Sequence, residues 1–539
     1  MATGMSVAQQ RFNYLGRSNN LVLEPVLQDP STDFHTGFHP YVQTFLNKAV
    51  NVDSVAADAI SYRTKQAGDV GGFMRKIRYE SLIKVDTTDF QLTIDPLMDF
   101  HGGRQRETDS VVYFNTRGFA VHGRIGNRVT FYSDFRENQA RVPDYLDEYI
   151  KSAGVVPGHG AVKDFKGTGF DYAMASGYVS LDAGKYFNLQ FGHGKHFIGD
   201  GYRSLLLSDA AFNYPYLRIT TQIWKIQYTN LFASFQNIDD QNGTFAPHSY
   251  EGGYRKKFSS FHYLSWNVCQ RLQLGFFEGI LWQASDSTWN RGFDINYLNP
   301  IIFFRPVEFS LGSPDNAILG LNLKYKVAKG WVLYGQGVID DLNISRKKDL
   351  QSGGSTSGFI QNKQGYQLGF HAYHLLGVRN LHLQGEWNQV RPYTYGHKTP
   401  QQSYTHFGEP LAHPLGANFR EQLVIANYRW HDLGVECRFV TSVYGADSTS
   451  AQHYGHDIFK SDFDAQRGLL SFGNTLLQGE RTRVNNLRLT LSYLVNPTTN
   501  LNVFVGWFSR NLKNDTETRS ASLFIFGLHT DLDNFYDDF

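Results

Sequence analysis

From about residue 90 onward the chain alternates apolar and polar side chains with a period of two, in one segment after another. Successive side chains of a strand face opposite sides, so each such segment reads as a strand with one apolar and one wet face. In 487–495, Leu487, Leu489, Leu491, Tyr493 and Val495 point one way while Arg488, Thr490 and Ser492 point the other. In 317–327, Leu319, Leu321, Leu323 and Tyr325 oppose Asn322, Lys324 and Lys326; in 381–389, Leu381, Leu383 and Trp387 oppose His382, Gln384, Glu386 and Asn388. About eighteen segments follow this rule, an even number, as bacterial barrels require. They lie near 90–98, 112–122, 128–135, 172–182, 186–193, 217–227, 229–238, 258–267, 270–280, 317–326, 331–340, 365–373, 380–389, 420–429, 432–441, 485–495, 500–509 and 519–528.

The connections alternate short and long. Gly126-Asn127, Asp182-Ala183-Gly184-Lys185, Val327-Ala328-Lys329-Gly330 and Asn496-Pro497-Thr498-Thr499 are tight turns with suitable residues. Between those hairpins lie long polar stretches at 136–171, 194–216, 281–316, 341–364, 390–419 and 442–484. Short periplasmic turns and long outer loops are the pattern of outer-membrane barrels. A soluble two-layer β protein rarely carries six long loops on one side. The expected fold is therefore all-β: a transmembrane antiparallel up-and-down barrel of about eighteen strands, residues 90–539, with both ends periplasmic.

Composition agrees. No apolar run approaches the ~20 residues of a membrane-spanning helix. Aromatic residues are 15% of the chain, with 31 Tyr and 42 Phe, which suits an apolar outer band with aromatic girdles. Mean hydropathy is −0.38, because alternate residues face a wet interior. The net charge of +1 gives no drive toward nucleic acid. Cys269 and Cys437 match no metal or redox spacing and read as free thiols.

Residues 1–8 read as the tail of a signal peptide, with Ser6 and Ala8 at the −3 and −1 positions of a cleavage site. Residues 9–89 break the period and form a small, partly helical periplasmic segment, with helices expected at 41–57 and 73–85.

Two loops mix apolar triplets with charge and Gly or Pro. One, 193–215, holds Leu205-Leu206-Leu207; the other, 289–320, holds Ile301-Ile302-Phe303-Phe304. Such runs avoid water, so both loops are expected to fold into the barrel mouth and plug it. Charged members Arg203, Asp209, Arg305 and Glu308 then either form a sugar-contacting surface or pair with wall residues such as Lys324, Glu386, Glu436, Arg438 and Arg488, since buried charges need partners.

These stretches carry a resemblance. Residues 192–215, the Asn299-Pro300 stretch to Asn316, the early His35-Thr-Gly-Phe-His-Pro-Tyr41 and the terminal 527–539 resemble the Wzi-like capsule-assembly family of outer-membrane proteins. The resemblance implies an eighteen-stranded barrel, a small helical periplasmic element and lectin-like attachment of capsular polysaccharide. Similar barrels occur among gliding-motility proteins. His196 and Phe197 stand where the resemblance leads one to expect a Trp-rich pair before the Gly-Asp-Gly.

Sugars present an apolar face and a ring of hydroxyls, which Tyr and Trp meet with flat area and Arg or Asp with charged hydrogen bonds. The candidate ligand-binding residues are Arg203, Asp209, Trp289, Arg291, Arg305, Glu308, Arg391, Tyr393 and Tyr395. Their loop aromatics also suit an outer girdle. No calcium-loop, zinc, phosphate-loop or nucleophile-elbow pattern stands out, so neither enzyme, metal nor cofactor is expected. The expected role is anchoring surface polysaccharide from a monomeric barrel in outer-membrane lipid. The rivals are a porin or uptake channel, a structural component of a secretion or motility machine, and an outer-membrane hydrolase.

Overall fold

The computed structural model describes residues 15–63, 71–238, 254–285, 290–300, 315–341, 358–447, 449, 452–463, 471–530 and 533–539. The signal-peptide remnant at 1–8 lies outside them. Eighteen wall strands are present: β1 (Phe90–Gln105), β2 (Val111–Ile125), β3 (Val129–Arg141), β4 (Gly169–Asp182), β5 (Phe187–Gly194), β6 (Tyr214–Ile223), β7 (Ile226–Asn237), β8 (Arg255–Asn267), β9 (Leu272–Gln283), β10 (Asn316–Ala328), β11 (Trp331–Asp341), β12 (Lys363–Tyr373), β13 (Leu381–Val390), β14 (Phe419–Trp430), β15 (Leu433–Ala446), β16 (Glu480–Asn496), β17 (Leu501–Lys513) and β18 (Thr518–His529). Each pairs antiparallel with the next. β18 returns to β1, with Leu523 opposite Gln105 and His529 opposite Asp99, and closes the barrel. Closing the sheet onto itself satisfies backbone groups that lipid could not.

Every expected segment is a wall strand. The alternation sorts the faces: Leu489, Leu491 and Tyr493 are exposed on the outside, while Arg488, next to Leu489, reaches Asp537 inside. The turn between β6 and β7 falls at Trp224-Lys225, three residues earlier than expected, with Ile223 opposite Ile226. Ile-Trp-Lys-Ile contains no Gly, Asn or Pro to mark it. The outer band extends to the turn tips, where Trp224 is 76% and Leu376 90% exposed.

The N-terminal segment enters the barrel. Helices α1 (Arg17–Asn20), α2 (Glu24–Leu27), α3 (Gln43–Ala49) and α4 (Val52–Ala59) precede α5 (Gly72–Tyr79) and a short strand, Ile83–Asp86. The continuous helix expected over 41–57 breaks at Val50, where Asn51 caps α4 by accepting from the Ser54 amide at 3.0 Å. Lys326, near the turn end of β10, donates to the carbonyls of Leu27, Asp29 and Thr32 at 2.9, 3.0 and 2.8 Å. Further in, Phe38 and His39 pair with Ile198 and Phe197 of the long loop after β5. The segment thus closes the turn end of the lumen. Its apolar side chains Phe34, Tyr41, Phe45 and Leu46 form a small core of their own.

Beyond His529 the chain neither extends the last strand nor hangs beneath it. Residues 533–539 run inside the lumen, where Asp533 meets Arg136 at 2.8 Å and the Phe539 carbonyl accepts from Arg510 at 2.6 Å. Phe539 packs on Tyr149 of helix α6 (Asp144–Ala153).

The loop after β9 corrects a second expectation. Its described residues 290–300 lie on the outer wall, not in the mouth. Ile280 shares its outward face with Phe276, opposite exposed Leu321, and Trp282 continues that face. The Trp282 indole donates to the Gly292 carbonyl at 3.1 Å, Ser260 to Tyr297 at 2.9 Å and Tyr228 to Pro300 at 2.6 Å. The reason is on the wall beneath: Ser260, His262 and Glu278 are outward-facing polar residues, fully buried here. Bare lipid cannot satisfy them, and a covering loop can.

Candidate functional site

The lumen is filled by four segments that the linear sequence keeps apart. The loop after β5 supplies Leu205, Leu206 and Leu207, all fully buried against Tyr263, Phe277, Ile318 and Val338 of the wall. The loop after β13 supplies Tyr395, Tyr404 and Leu411 to the same core. Tyr395 and Tyr404 donate their hydroxyls to the Leu205 and Leu206 carbonyls at 2.7 and 2.6 Å, so each loop pins the other. The N-terminal segment and the 533–539 tail complete the filling. At Gly201 the chain passes so close to Glu386 that any Cβ would collide with its carboxylate.

An ionic knot holds the filling to the wall. The Arg203 guanidinium reaches Glu421 on β14 at 3.0 Å and Asp538 of the tail at 2.8 Å. Glu386 on β13 accepts the amides of Tyr202 and Arg203 at 2.7 and 3.1 Å. His413 binds the second oxygen of Glu421 at 2.8 Å, which ties the loop after β13 into the same knot. Tyr202 donates to Asp538 at 2.7 Å and accepts from Arg438 on β15 at 2.7 Å. Burial alone would push the Asp538 pKa up, but Arg203 and Arg438 hold it well below the usual carboxylate range. Lys324, Glu386, Arg438 and Arg488 all serve as wall partners of this filling, while Glu436 pairs with Arg438 at 2.7 Å.

The sequence candidates separate on this geometry. Arg203 and Asp209 are 0% and 2% exposed, inside the lumen; Asp209 accepts from Tyr536 and Asn534 at 2.6 and 2.7 Å. Tyr393 is buried and donates to the His453 carbonyl at 3.0 Å, and Tyr395 is buried as above. These four side chains build the plug and present no surface to a soluble glycan. Arg291 lies on the outer wall between Asp294 and Asp315, at 2.6 and 2.8 Å. Arg391 is half-buried at the loop end. Trp289, Arg305 and Glu308 fall outside the described residues. His193 and His196 do not converge, since His193 meets the Ala175 carbonyl and His196 the Tyr214 hydroxyl. Among the described residues, no group of three metal-ligating side chains comes together.

Two features were not singled out from the sequence. One is a luminal cavity of about 90 Å³, lined by Arg17, Glu24, Asp200, His371, Tyr373 and His382 among others. It lies where the N-terminal segment, the loop after β5 and the tail meet strands β12 and β13, which no local pattern announces. The other is at the loop end. Phe463 is 67% exposed, and the Lys398 ammonium stands 4.9 Å from its ring centroid. The two loops that carry them are locked by Ser461, which donates to the Lys398 carbonyl at 2.7 Å, and by Lys363, which binds Asp462 at 2.5 Å. A lone aromatic between two aspartates, Asp462-Phe463-Asp464, was the available signal.

No protein-family model matches the chain, and no curated protein matches it. Solved structures do. Wzi of Escherichia coli, an outer-membrane carbohydrate-binding β-barrel involved in group 1 capsule assembly, is 13% identical over 97% of this chain and 99% of its own, with a TM-score of 0.54. The outer membrane protein OprD of Pseudomonas aeruginosa is 12% identical over 85% of this chain and 97% of its own, TM-score 0.41. OccAB2 of Acinetobacter baumannii is 12% identical over 83% and 98%, TM-score 0.42. With the closed sheet and the exposed apolar band, the likeness to Wzi establishes the fold: this chain is an eighteen-stranded β-barrel of the outer membrane.

Proposed function

We propose that this barrel is a sealed anchor that holds surface polysaccharide at its loop end, a binding role rather than catalysis or transport. The observation that carries this reading is the filled lumen. Four segments cross it and are tied to the wall by buried ion pairs and hydrogen bonds. A passive channel needs a continuous wet path, and fully buried Leu205, Leu206 and Leu207 stand in its way. The sugar-facing surface is assigned to the rim formed by the loops after β13 and β15, where Phe463 offers flat area and Lys398 and Arg391 offer cations. Cations there favour acidic sugars. The capsule role of Wzi, at 13% identity, supports the same reading by shared fold.

The test is binding of the purified barrel, in detergent, to acidic surface polysaccharide from its own cells, read beside planar-bilayer conductance. Binding with a silent bilayer is the expected result. Large steady conductance without glycan binding would replace this reading with a porin.

A further inference from the structure

We propose that helix α5 and the strand Ile83–Asp86 form a foot that beds in the phospholipid headgroup region at the turn end of the barrel. Phe73, Met74 and Ile77 lie on one stripe of α5 and are 78%, 47% and 37% exposed. Leu82, Ile83 and Val85 continue the apolar surface at 57%, 48% and 39%. None of these six side chains is covered by the barrel. In water such a contiguous patch is unfavourable.

The foot is fastened, not dangling. Asn496 donates to the Lys76 and Glu80 carbonyls at 3.3 and 3.1 Å, and Thr498 to the Tyr79 carbonyl at 2.8 Å. Arg63, just upstream, pairs with Asp432 and donates to the Val495 carbonyl at 3.0 Å. The helix is therefore held at the level of the β14–β15 and β16–β17 turns.

That level is the edge of the lipid band. Trp224 and Leu376 at other turn tips are 76% and 90% exposed, and Trp430 is 58%. Tryptophans such as Trp224 and Trp430 sit at the membrane interface. The strand joins the band directly: Ile83 pairs with Ile94 and Asp86 with Gln91 on the part of β1 that β18 leaves free below Asp99. Charge selects the same occupant. Arg75, Lys76 and Arg78 stand against the single carboxylate Glu80 on and just after the helix, and a basic amphipathic helix is attracted to anionic headgroups.

Spin labels on the full-length barrel in liposomes test this. With Cys269 and Cys437 replaced by Ser, nitroxides are placed by Phe73→Cys, Ile77→Cys, Leu321→Cys on the lipid band and Asn127→Cys at a turn. Collision with oxygen reports lipid, and collision with a neutral nickel chelate reports water. Phe73 and Ile77 are expected to resemble Leu321, with nickel access several-fold below that of Asn127. Liposomes containing anionic phospholipid should deepen the Phe73 label relative to zwitterionic ones, and Arg75→Gln, Lys76→Gln and Arg78→Gln together should abolish that difference. Nickel access at Phe73 and Ile77 equal to that at Asn127 would overturn the proposal and leave a face for a protein partner.

Discussion

Arg203 and Asp538 are 335 residues apart in the chain and 2.8 Å apart in the lumen, both out of solvent. This contact joins the loop after β5 to the tail. Removing one partner of a buried pair leaves the other charge unpaired, at a cost of roughly 3–5 kcal/mol. Asp538→Ala is expected to destabilise the barrel by that order in urea unfolding from lipid. The triple change Arg203→Met, Glu421→Gln and Asp538→Asn, which removes the charges together, should cost less than the single one. Equal or greater loss in the triple variant would mean that packing, not charge pairing, dominates at the knot.

Glu409 is expected to give the plug a pH dependence. It sits in a small hairpin of the loop after β13, 3% exposed, and accepts the Gly158 amide at 2.6 Å. Burial raises its pKa to about 8, against the opposing pull of the Gly158 amide and Lys195. A folded value above the unfolded one means the protonated form is favoured by folding. Stability is therefore full below about pH 4.5 and is lost as pH rises toward about 8. Glu409→Gln should remove this slope and make the loop more resistant than wild type to limited proteolysis at pH 9, with little difference at pH 5. Identical cleavage rates at both pH values would show that the carboxyl is already ionised without penalty.

The wall was legible in the sequence because lipid outside and polar filling inside impose a period of two. Leu489 and Arg488 betray their faces by that rule alone. The interior was only half legible. Leu205-Leu206-Leu207 announced a buried loop, and buried it is. Ile301-Ile302-Phe303-Phe304 announced the same, yet the described neighbours of that run lie on the outer wall. An apolar run reports that it avoids water, not whether lumen or lipid receives it. The tail was illegible for another reason: Asp537 and Asp538 look like a solvated end until Arg488, Arg203 and Arg438 are brought to them by the fold.

At the loop end, Phe463→Ala is expected to weaken binding of acidic polysaccharide by about 1–2 kcal/mol, the usual range for losing one aromatic or cation–π platform. Lys398→Gln should weaken it comparably at low salt and less at high salt. Both positions are solvent-facing, so folding yield should not change. Unchanged binding in both variants would move the sugar surface elsewhere on the rim.

Cys269 reports orientation. It is an exposed free thiol beside the β8–β9 turn, while Cys437 lies on β15. With short turns facing the periplasm, a bulky maleimide that cannot cross the outer membrane should leave Cys269 unlabelled in intact cells. Permeabilised cells should label it at once. Labelling in intact cells would invert the barrel and place the N-terminal segment and the foot on the cell surface.

Conductance separates the two long loops. The loop after β13 lies in the lumen, where Tyr395, Tyr404 and Leu411 seal it against Leu205 and Leu206. The loop after β9 lies, in its described part, on the outer wall over Ser260 and Trp282. Replacing residues 400–411 by a short Gly-Ser link removes part of the seal, so the variant should show flickering ion conductance in a planar bilayer. Replacing residues 286–314 should leave the bilayer silent and instead lower thermal stability, because Ser260, His262 and Glu278 then face lipid without a cover. Steady conductance in the second variant alone would place the seal in the loop after β9 and return the mouth to the arrangement its apolar run first suggested.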